Sequence, residues 1–344
     1  MSTVKQLIPH DQALLVTGSL NAMEDDRGHD DRSLIHPVQI VLDGDVINCS
    51  CFDSLGELGV SALVVVQKDP LVTYITTGAD LIELSIENDG SAQVRRIEIP
   101  ALKDVHEMSL LDGVLWLANT GYDEAVAIDL DEKCVVKRIV LGKFRGKIRA
   151  SLPSFTGNDI QAVDRYHCNQ VFQDINGKLC ALVHHTSGKQ LLKRIARKVI
   201  KSQGDGGVVD LDTGQAVSLS LKGPHSVRCV NGDYWVCDSG SRMLNVYDAT
   251  WRLKNRLPTH GWGRGADFSK HHGLYYVGIS AERKRYRDRP DYNDRNLIEV
   301  FKTDDGELLG EIPIVDGIEQ INNVYLLQRG VVETLLGLKL SSWV

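Results

Sequence analysis

The sequence predicts an all-β fold, a six-bladed β-propeller closed by pairing of its C-terminal and N-terminal strands. Three observations predict it: two long segments repeat each other, six hairpin-like patterns recur along the chain, and a final apolar segment supplies the missing strand of the first blade. A length of 344 residues exceeds most single domains but is ordinary for folds that repeat radially. Residues 1–344 are therefore expected to form one domain, and seven blades is the alternative.

Two segments of the sequence align without a gap, one from His106 and one from His225. HEMSLLDGVLWLANTGYDEAVAID and HSVRCVNGDYWVCDSGSRMLNVYD share the His, a Gly seven residues later, a Trp at ten, an Asn or Asp at thirteen and an Asp at twenty-three. Short apolar runs separated by Asp-Gly, Asn-Gly, Thr-Gly and Ser-Gly are typical of strands joined by tight turns. Each copy is interpreted as three strands of a blade.

The outer strands come from an apolar run, a polar turn and a second apolar run, a pattern that recurs six times between IVLDGDVINCSCF and VFKTDDGELLGEIPI. Innermost strands are predicted near residues 59–66, 105–111, 165–173, 225–230, 263–269 and 319–327. The chain then begins at the second strand of a blade whose first strand lies near 321–327. Pairing of these two strands leaves no open sheet edge.

Composition and charge exclude several classes of function. Hydrophobic residues make up 42% and charged residues 25%, which is ordinary for a folded domain. A formal net charge of -7 argues against general nucleic-acid binding. The sequence starts without a signal-peptide pattern, and no apolar run approaches the roughly 20 residues of a membrane span. A cytoplasmic protein without nucleic-acid or membrane partners is expected, and its oligomeric state is left open.

The seven cysteines are interpreted as reduced thiols. Five of them lie in apolar, strand-like runs, which indicates core positions rather than a disulfide framework: Cys134, Cys168, Cys180, Cys229 and Cys237. Cys49 and Cys51 are expected on one buried face of a strand.

Polar residues stand at or near the starts of several predicted innermost strands: His106, Glu107, His167, Asn169, His225, Arg264, Glu319, Gln320 and Asn322. The longest insertions, about residues 20–36, 184–206 and 281–296, fall between second and third strands, which in a propeller lie on the same face as those starts. One axial mouth lined by polar groups is therefore expected to be the working surface. Of the adjacent His184 and His185, at most one would face it.

The insertion SGKQLLKRIARKVIKSQG predicts a basic amphipathic helix near 187–204, because its apolar residues recur at helical spacing and it contains no acidic residue. A solvated helix face is the simplest interpretation. A basic helix over a polar mouth would also attract an anionic ligand or close over it as a lid.

Six short motifs carry a resemblance: HEM at 106–108, RYHCN at 165–169, PHS at 224–226, GRGADF at 263–268, YYVGIS at 275–280 and GIEQINNV at 317–324. On these the chain resembles an uncharacterised bacterial family of predicted β-propellers, related in general shape to strictosidine-synthase-like and gluconolactonase-like six-bladed proteins. The resemblance covers about residues 100–327. It implies the fold and the location of the site, and it implies no particular reaction.

His106, His167 and His225, from three blades, are the candidate ligands of one divalent metal ion that keeps open positions for water and substrate. Glu107 or Glu319 would act as a fourth ligand or a base, and Arg264 would hold a carboxylate or phosphate through its planar fork. The remaining predicted contacts to substrate are Asn169, Gln320 and Asn322. The alternatives are a metal-free polar pocket and histidines that only satisfy backbone groups.

The leading hypothesis is a metal-assisted lyase, isomerase or hydrolase acting on a small polar, anionic metabolite. No phosphate-binding loop, nucleophile elbow or zinc helix occurs in the sequence, and the glycines of GDGG at 204–207 precede a strand, so no nucleotide cofactor is expected. The competing hypothesis is a non-catalytic propeller that binds a ligand or partner protein through the same face, because the fold serves both purposes.

Overall fold

The structure is a computed structural model that describes residues 7–19, 36–53, 55, 59–141, 148–151, 164–188, 204–282, 288, 292–315 and 317–338. The described residues form six antiparallel sheets, and the fold is a six-bladed β-propeller. The alternative of seven blades is wrong. The predicted helix near 187–204 lies outside the described residues except at its two ends, as does nearly all of the insertion at 20–36 and part of that at 281–296.

Each sheet is one blade, and its strands follow each other along the chain. Blade 1 contains β1 (Gln12–Ser19), β2 (Val38–Leu42), β3 (Asp45–Asn48) and, as its first strand, β25 (Gln320–Gln328). Blade 2 contains β4 (Ala62–Lys68), β5 (Leu71–Thr76), β6 (Leu81–Ile86) and β7 (Ala92–Ile97). Blade 3 contains β8 (Val105–Leu111), β9 (Val114–Asn119), β10 (Glu124–Asp129), β11 (Cys134–Leu141) and a fifth strand, β12 (Ile148–Ser151), that the sequence analysis missed.

The other three blades have four strands each. Blade 4 contains β13 (Cys168–Gln173), β14 (Leu179–Val183), β15 (Gly206–Asp210) and β16 (Ala216–Leu221). Blade 5 contains β17 (Pro224–Val230), β18 (Asp233–Asp238), β19 (Met243–Tyr247) and β20 (Leu253–Pro258). Blade 6 contains β21 (Trp262–Ser269), β22 (Leu274–Ser280), β23 (Leu297–Lys302) and β24 (Leu308–Pro313).

The predicted closure is present, because β1 pairs antiparallel with β25. The chain therefore does begin at the second strand of a blade whose first strand is C-terminal. A helix that the sequence analysis missed, α1 (Arg329–Gly337), follows β25, and its apolar residues Val331, Val332 and Leu335 are buried in the core of blades 1 and 2.

The chain divides into two compact units. The first comprises residues 1–77, 82–96 and 257–344 and holds blades 1, 2 and 6 apart from a few strand ends. The second comprises residues 78–81 and 97–256 and holds blades 3, 4 and 5. The expectation of one domain over 1–344 stays a prediction.

The cores of both units are built from the inward faces of neighbouring sheets. Trp116 and Trp235, the tryptophans of the repeat, are buried in the second unit, where packing between blades was expected. All seven cysteines are free, but Cys134 is exposed on β11, so its predicted core position is wrong. Cys49 and Cys51 are buried at the start of a single 3₁₀ turn rather than on a strand, and both thiols lie against the Leu335 carbonyl.

Candidate functional site

Four histidine rings lie together in the second unit: His106, His167, His184 and His225, called here the histidine cluster. The ring centroids are 4.9 Å apart for His106 and His167, 4.2 Å for His167 and His184, 5.3 Å for His184 and His225, and 6.5 Å for His106 and His225. His106 belongs to blade 3, His167 and His184 flank β13 and β14 of blade 4, and His225 belongs to blade 5. The structure thus brings together the three histidines that the sequence singled out and adds His184.

The Asn or Asp at position thirteen of the repeat holds the loop that leads to each repeat histidine. The side-chain oxygen of Asn119 accepts a hydrogen bond from the Lys103 backbone N–H at 2.8 Å, three residues before His106. Asp238 accepts the same bond from the Lys222 N–H at 2.6 Å, three residues before the second histidine. The equal spacing of the two copies therefore reflects one local structure that sets the position of the imidazole.

A glycine at position fifteen, which the sequence analysis did not single out, completes this arrangement. The Gly121 N–H donates to the Lys103 carbonyl at 2.9 Å, and the Gly240 N–H donates to the Lys222 carbonyl at 2.7 Å. A Cβ atom at either glycine would lie only 2.7 Å or 2.6 Å from that carbonyl oxygen. Glycine is needed here because the turn approaches the loop too closely for any side chain.

His167 is positioned differently, by the carboxylate of Asp123 on the neighbouring blade. Asp123 accepts backbone hydrogen bonds from the N–H groups of Arg165, Tyr166 at 3.0 Å and His167 at 2.7 Å. The φ angle of His167 is +56°, a left-handed conformation that costs a non-glycine residue free energy unless its surroundings hold it. Burial raises the pKa of Asp123, while the three N–H bonds oppose that shift.

The Nδ1 atoms of the three predicted ligands are all engaged with oxygen. The partners are Asp104 O at 3.1 Å for His106, Asp164 Oδ1 at 3.0 Å for His167, and Gly223 O at 3.0 Å with Ser239 Oγ at 2.9 Å for His225. Because carbonyl and carboxylate oxygens only accept hydrogen bonds, each ring donates from Nδ1. In the neutral imidazole the lone pair is then on Nε2, in all three rings.

His184 contributes a buried nitrogen without a partner. Its Nε2 atom has no hydrogen bond within the described residues. Burial lowers the pKa of His184 well below its usual value, and the neighbouring His167 and His225 lower it further. The ring is therefore neutral at neutral pH. A buried polar atom without a partner is unusual in proteins, and a bound ion or water is one of the recognised explanations.

Two other predicted residues, Asn169 and Glu107, lie in the same unit. Asn169 is buried, its Nδ2 donates to the Pro224 carbonyl, and its Oδ1 atom has no hydrogen bond to the described part of the chain. Glu107 is also buried, and its Oε1 accepts a hydrogen bond from Arg228 Nη1 at 3.0 Å. The carboxylate predicted as a base or ligand is thus held in an ion pair.

The other predicted site residues belong to the first unit. Arg264 Nη1 donates to Gln320 Oε1 at 3.3 Å. Asn322 Nδ2 donates to the Val60 carbonyl at 2.8 Å, and the Glu319 backbone N–H donates to the Ser19 carbonyl at 3.2 Å. These contacts place the four residues near the start of β25 and beside it on β21.

The strand starts that carry polar residues share an irregularity that the sequence analysis missed. The pairing register with the next strand shifts between Val105 and Met108, between Cys168 and Gln170, and between His225 and Val227. Such shifts are typical of β-bulges, which bend the strand and redirect side chains. His106, Glu107 and Asn169 all lie within these irregular stretches. Local backbone irregularity, rather than regular alternation, therefore aims the polar groups.

Comparison with protein-family models identifies one match, to a family described as a domain of unknown function, DUF4915, over residues 104–335. The chain belongs to the DUF4915 family. The matched range of this DUF4915 protein contains the whole histidine cluster and the four predicted residues of the first unit. No curated protein matches it.

Comparison with solved structures identifies several that are similar to the DUF4915 chain, and those with TM-scores above 0.5 share its fold. A protein of unknown function from Bacteroides caccae is 13% identical with a TM-score of 0.53, over 93% of this chain and 99% of that one. A nidogen/laminin complex structure gives 9% identity and a TM-score of 0.52, over 92% and 97% of the two chains. A putative 6-phosphogluconolactonase from Bacteroides uniformis is 11% identical with a TM-score of 0.46, over 90% and 85%. Identities this low show the fold alone.

None of the helices in the described part of the chain has the length and apolar character needed to cross a bilayer. The expected cytoplasmic location stays a prediction.

Proposed function

We propose that this protein is an enzyme that binds one divalent transition-metal ion through the histidine cluster. It would act as a lyase, isomerase or hydrolase on a small polar, anionic metabolite. One observation carries the proposal: His106, His167 and His225 each hydrogen-bond through Nδ1 to an oxygen acceptor. Histidines that bind metals nearly always donate their other ring N–H in this way, which fixes the tautomer and the ring orientation.

The spacing of the rings supports a shared ion. Imidazoles bound to one octahedral or tetrahedral ion have ring centroids about 4.5 to 5.5 Å apart, given metal–nitrogen distances of about 2.1 Å. Three pairs of rings in the cluster are 4.2, 4.9 and 5.3 Å apart, and His106 and His225 are 6.5 Å apart. No three ring nitrogens of the cluster all lie within 4.8 Å of one another. Binding would therefore turn the rings slightly towards the ion.

The ligand set favours particular metals and substrates. Neutral imidazoles suit Zn²⁺, Fe²⁺, Ni²⁺ and Cu²⁺ better than Mg²⁺ or Ca²⁺. Because four neutral ligands leave the charge of the ion uncompensated, the site attracts anions such as carboxylates and phosphates. When bound, such an ion polarises a substrate oxygen or lowers the pKa of a coordinated water. The chain itself would contribute Asn169, whose buried Oδ1 has no hydrogen bond to the described residues and would accept one from a substrate hydroxyl.

Metal content tests the proposal directly. The protein is purified without chelators or affinity-tag nickel, and its metals are measured by elemental analysis beside the His106→Ala/His225→Ala variant. A matched control, His271→Ala/His272→Ala, removes two exposed histidines outside the cluster. We expect about one metal ion per chain in the wild type and in the control, and less than about a tenth of that in the cluster variant.

Folding of the variants is checked by circular dichroism and thermal melting, and His106→Gln/His225→Gln provides a second pair that keeps side-chain volume. Equal metal contents in the wild type and in folded cluster variants would remove the metal hypothesis. The metal hypothesis would also be removed if every sample held only trace metal after reconstitution with Zn²⁺ or Fe²⁺.

Catalysis is separated from simple binding by proton NMR. The metal-loaded protein is mixed with a panel of hydroxy acids, sugar lactones and phosphate esters, and the signals are followed with time. An enzyme converts one class of these compounds, and the cluster variant does not. Broadened but unchanging signals would instead favour the non-catalytic, ligand-binding propeller.

A further inference from the structure

A second group of potential ligands lies in the first unit, on blade 6. Among the described residues, His260, Glu299 and Glu311 form the group of three whose ligand atoms all lie within 4.8 Å of one another. His260 Nδ1 is 2.6 Å from Glu299 Oε1 and 3.3 Å from Glu311 Oε1. The His260 backbone N–H also donates to Glu299 Oε1 at 2.8 Å. This set is called here the His–Glu–Glu site.

The two carboxylates are arranged unfavourably in the absence of a positive charge. Glu299 on β23 is directly opposite Glu311 on β24, and like charges in that position destabilise a sheet. The Glu299 side chain is 0% exposed, and its Oε2 atom makes no hydrogen bond to the described residues. A buried carboxylate oxygen without a partner is costly. Either a positive group or a proton on one of the carboxyls must compensate this pair.

The equivalent place in blade 3 holds an arginine. Val126, the third residue of the third strand β10, is opposite Arg138 of β11, as Glu299, the third residue of β23, is opposite Glu311. Arg138 also binds the buried carboxylate of Glu124 at 3.0 Å. Blade 6 has Glu311 where blade 3 has an arginine, so it supplies a negative charge where blade 3 supplies a positive one.

A protonated His260 would supply one positive charge to two carboxylates, whereas a divalent cation supplies two. The His260 side chain is 55% exposed, so an ion from solvent reaches the site without opening the core. One imidazole and two carboxylates are a ligand set that Mn²⁺, Fe²⁺ and Zn²⁺ accept, with remaining positions for water. The residues therefore match a cation in number, charge and access.

We propose that His260, Glu299 and Glu311 bind a divalent cation of the Mn²⁺ or Zn²⁺ class, which ties the segment before β21 to strands β23 and β24. This site lies entirely in the first unit and shares no ligand with the histidine cluster. It is a stabilising cation site, and it goes beyond the proposed function and does not depend on it.

The test uses Mn²⁺ as the probe and the full-length protein after treatment with a chelator. Free Mn²⁺ is titrated by electron paramagnetic resonance in the His106→Ala/His225→Ala background, so that any binding is independent of the first cluster. We expect about one Mn²⁺ per chain and a melting temperature that rises with Mn²⁺ concentration to a plateau. Glu311→Gln should weaken binding at least about tenfold and abolish the rise.

Two further variants keep the proposal falsifiable. Glu307→Gln, an exposed glutamate of the same hairpin, is the matched control and should bind as its parent does. Glu299→Gln removes the buried ligand and should lose binding while keeping side-chain volume. Equal binding by Glu311→Gln and Glu307→Gln overturns the proposal. So does the absence of Mn²⁺ and Zn²⁺ binding in the parent, which would leave a protonated His260 as the compensating charge.

Discussion

The histidine cluster of the second unit and the His–Glu–Glu site of the first unit use the same side chain in opposite ways. In the cluster, Nδ1 of three rings donates to oxygen acceptors, so the lone pair of each neutral ring is on Nε2. At the other site, Nδ1 of His260 itself faces the carboxylates of Glu299 and Glu311. The first is a set of imidazole nitrogens, and the second is a set of two carboxyl groups with one imidazole.

The difference shows that what surrounds a histidine determines its role more than its place at the start of a blade. His106 and His225 begin innermost strands and have their tautomers fixed by nearby oxygens, which is the arrangement of a preorganised metal ligand. His260 precedes an innermost strand too, but two carboxylates compete for its nitrogen. Ligand type therefore predicts different metals for the two sites.

Metal preference should show the largest difference between the two sites. In protein freed of metal, we expect the histidine cluster to prefer Zn²⁺ over Mn²⁺ by about 100-fold or more, because nitrogen ligands follow the general order of divalent metal affinities. The His–Glu–Glu site should discriminate far less. Competition titrations of Glu311→Gln, which keeps only the cluster, and of His106→Ala/His225→Ala, which keeps only the other site, measure the two preferences separately. Identical preferences would contradict the comparison.

Substitution of Asp123, which orients His167, should have the next largest effect on metal binding by the cluster. Asp123→Ala deletes the acceptor of three backbone N–H groups, which should lower stability by about 1–3 kcal/mol and metal affinity of the cluster by about 10- to 100-fold. Zinc titration and chemical unfolding measure the two effects. Asp267→Ala is the matched control, because Asp267 also accepts backbone N–H bonds, at 2.8 Å, but in the first unit. Equal losses of zinc affinity in both variants would show that Asp123 only supports the fold.

The smallest loss of zinc affinity is expected when a single hydroxyl group beside His225 is removed. Ser239→Ala removes one of the two oxygens at Nδ1 of His225 and leaves the Gly223 carbonyl, so zinc affinity should fall only about threefold. Ser269→Ala removes a similar contact, at 3.0 Å, to Nδ1 of His272, a histidine outside the cluster. Isothermal titration with zinc should show no change in that control. If Ser269→Ala lowered zinc affinity as much as Ser239→Ala does, the effect would not be specific to the cluster.

Much of the fold was predictable because its signals are local. The turn glycines Gly113 and Gly232 have left-handed φ angles of +80° and +84°, as Asp-Gly and Asn-Gly hairpins require. The final Asp of each repeat copy, Asp129 and Asp248, accepts N–H bonds from the following turn. The closure of blade 1 followed from counting strands. By contrast, β12 and α1 lie outside the repeated pattern, so no internal comparison indicated them.

The site was predictable in its position but not in its details. Equivalence of His106 and His225 in the repeat located two members of the cluster, whereas the contribution of His184 depends on the chain direction after β14. The acceptors of His106 and His225 are the backbone carbonyls two residues earlier, of Asp104 and Gly223, so no side chain in the sequence marks them, whereas the acceptor of His167 is the side chain of Asp164. The pairing of Glu107 with Arg228 joins blades 3 and 5, more than a hundred residues apart in sequence. Such contacts depend on packing between blades, which periodicity does not encode.

X-ray absorption at the edge of the bound metal tests the central claim most directly. Protein purified without added metal, in which Glu311→Gln removes the second site, should give a first shell of about three or four nitrogen ligands at about 2.0–2.1 Å with the multiple scattering typical of imidazole. His106→Ala/His225→Ala should lose those features. A first shell of oxygen or sulfur without imidazole scattering, or a spectrum that the cluster substitutions leave unchanged, would contradict the assignment of the histidine cluster as a metal site.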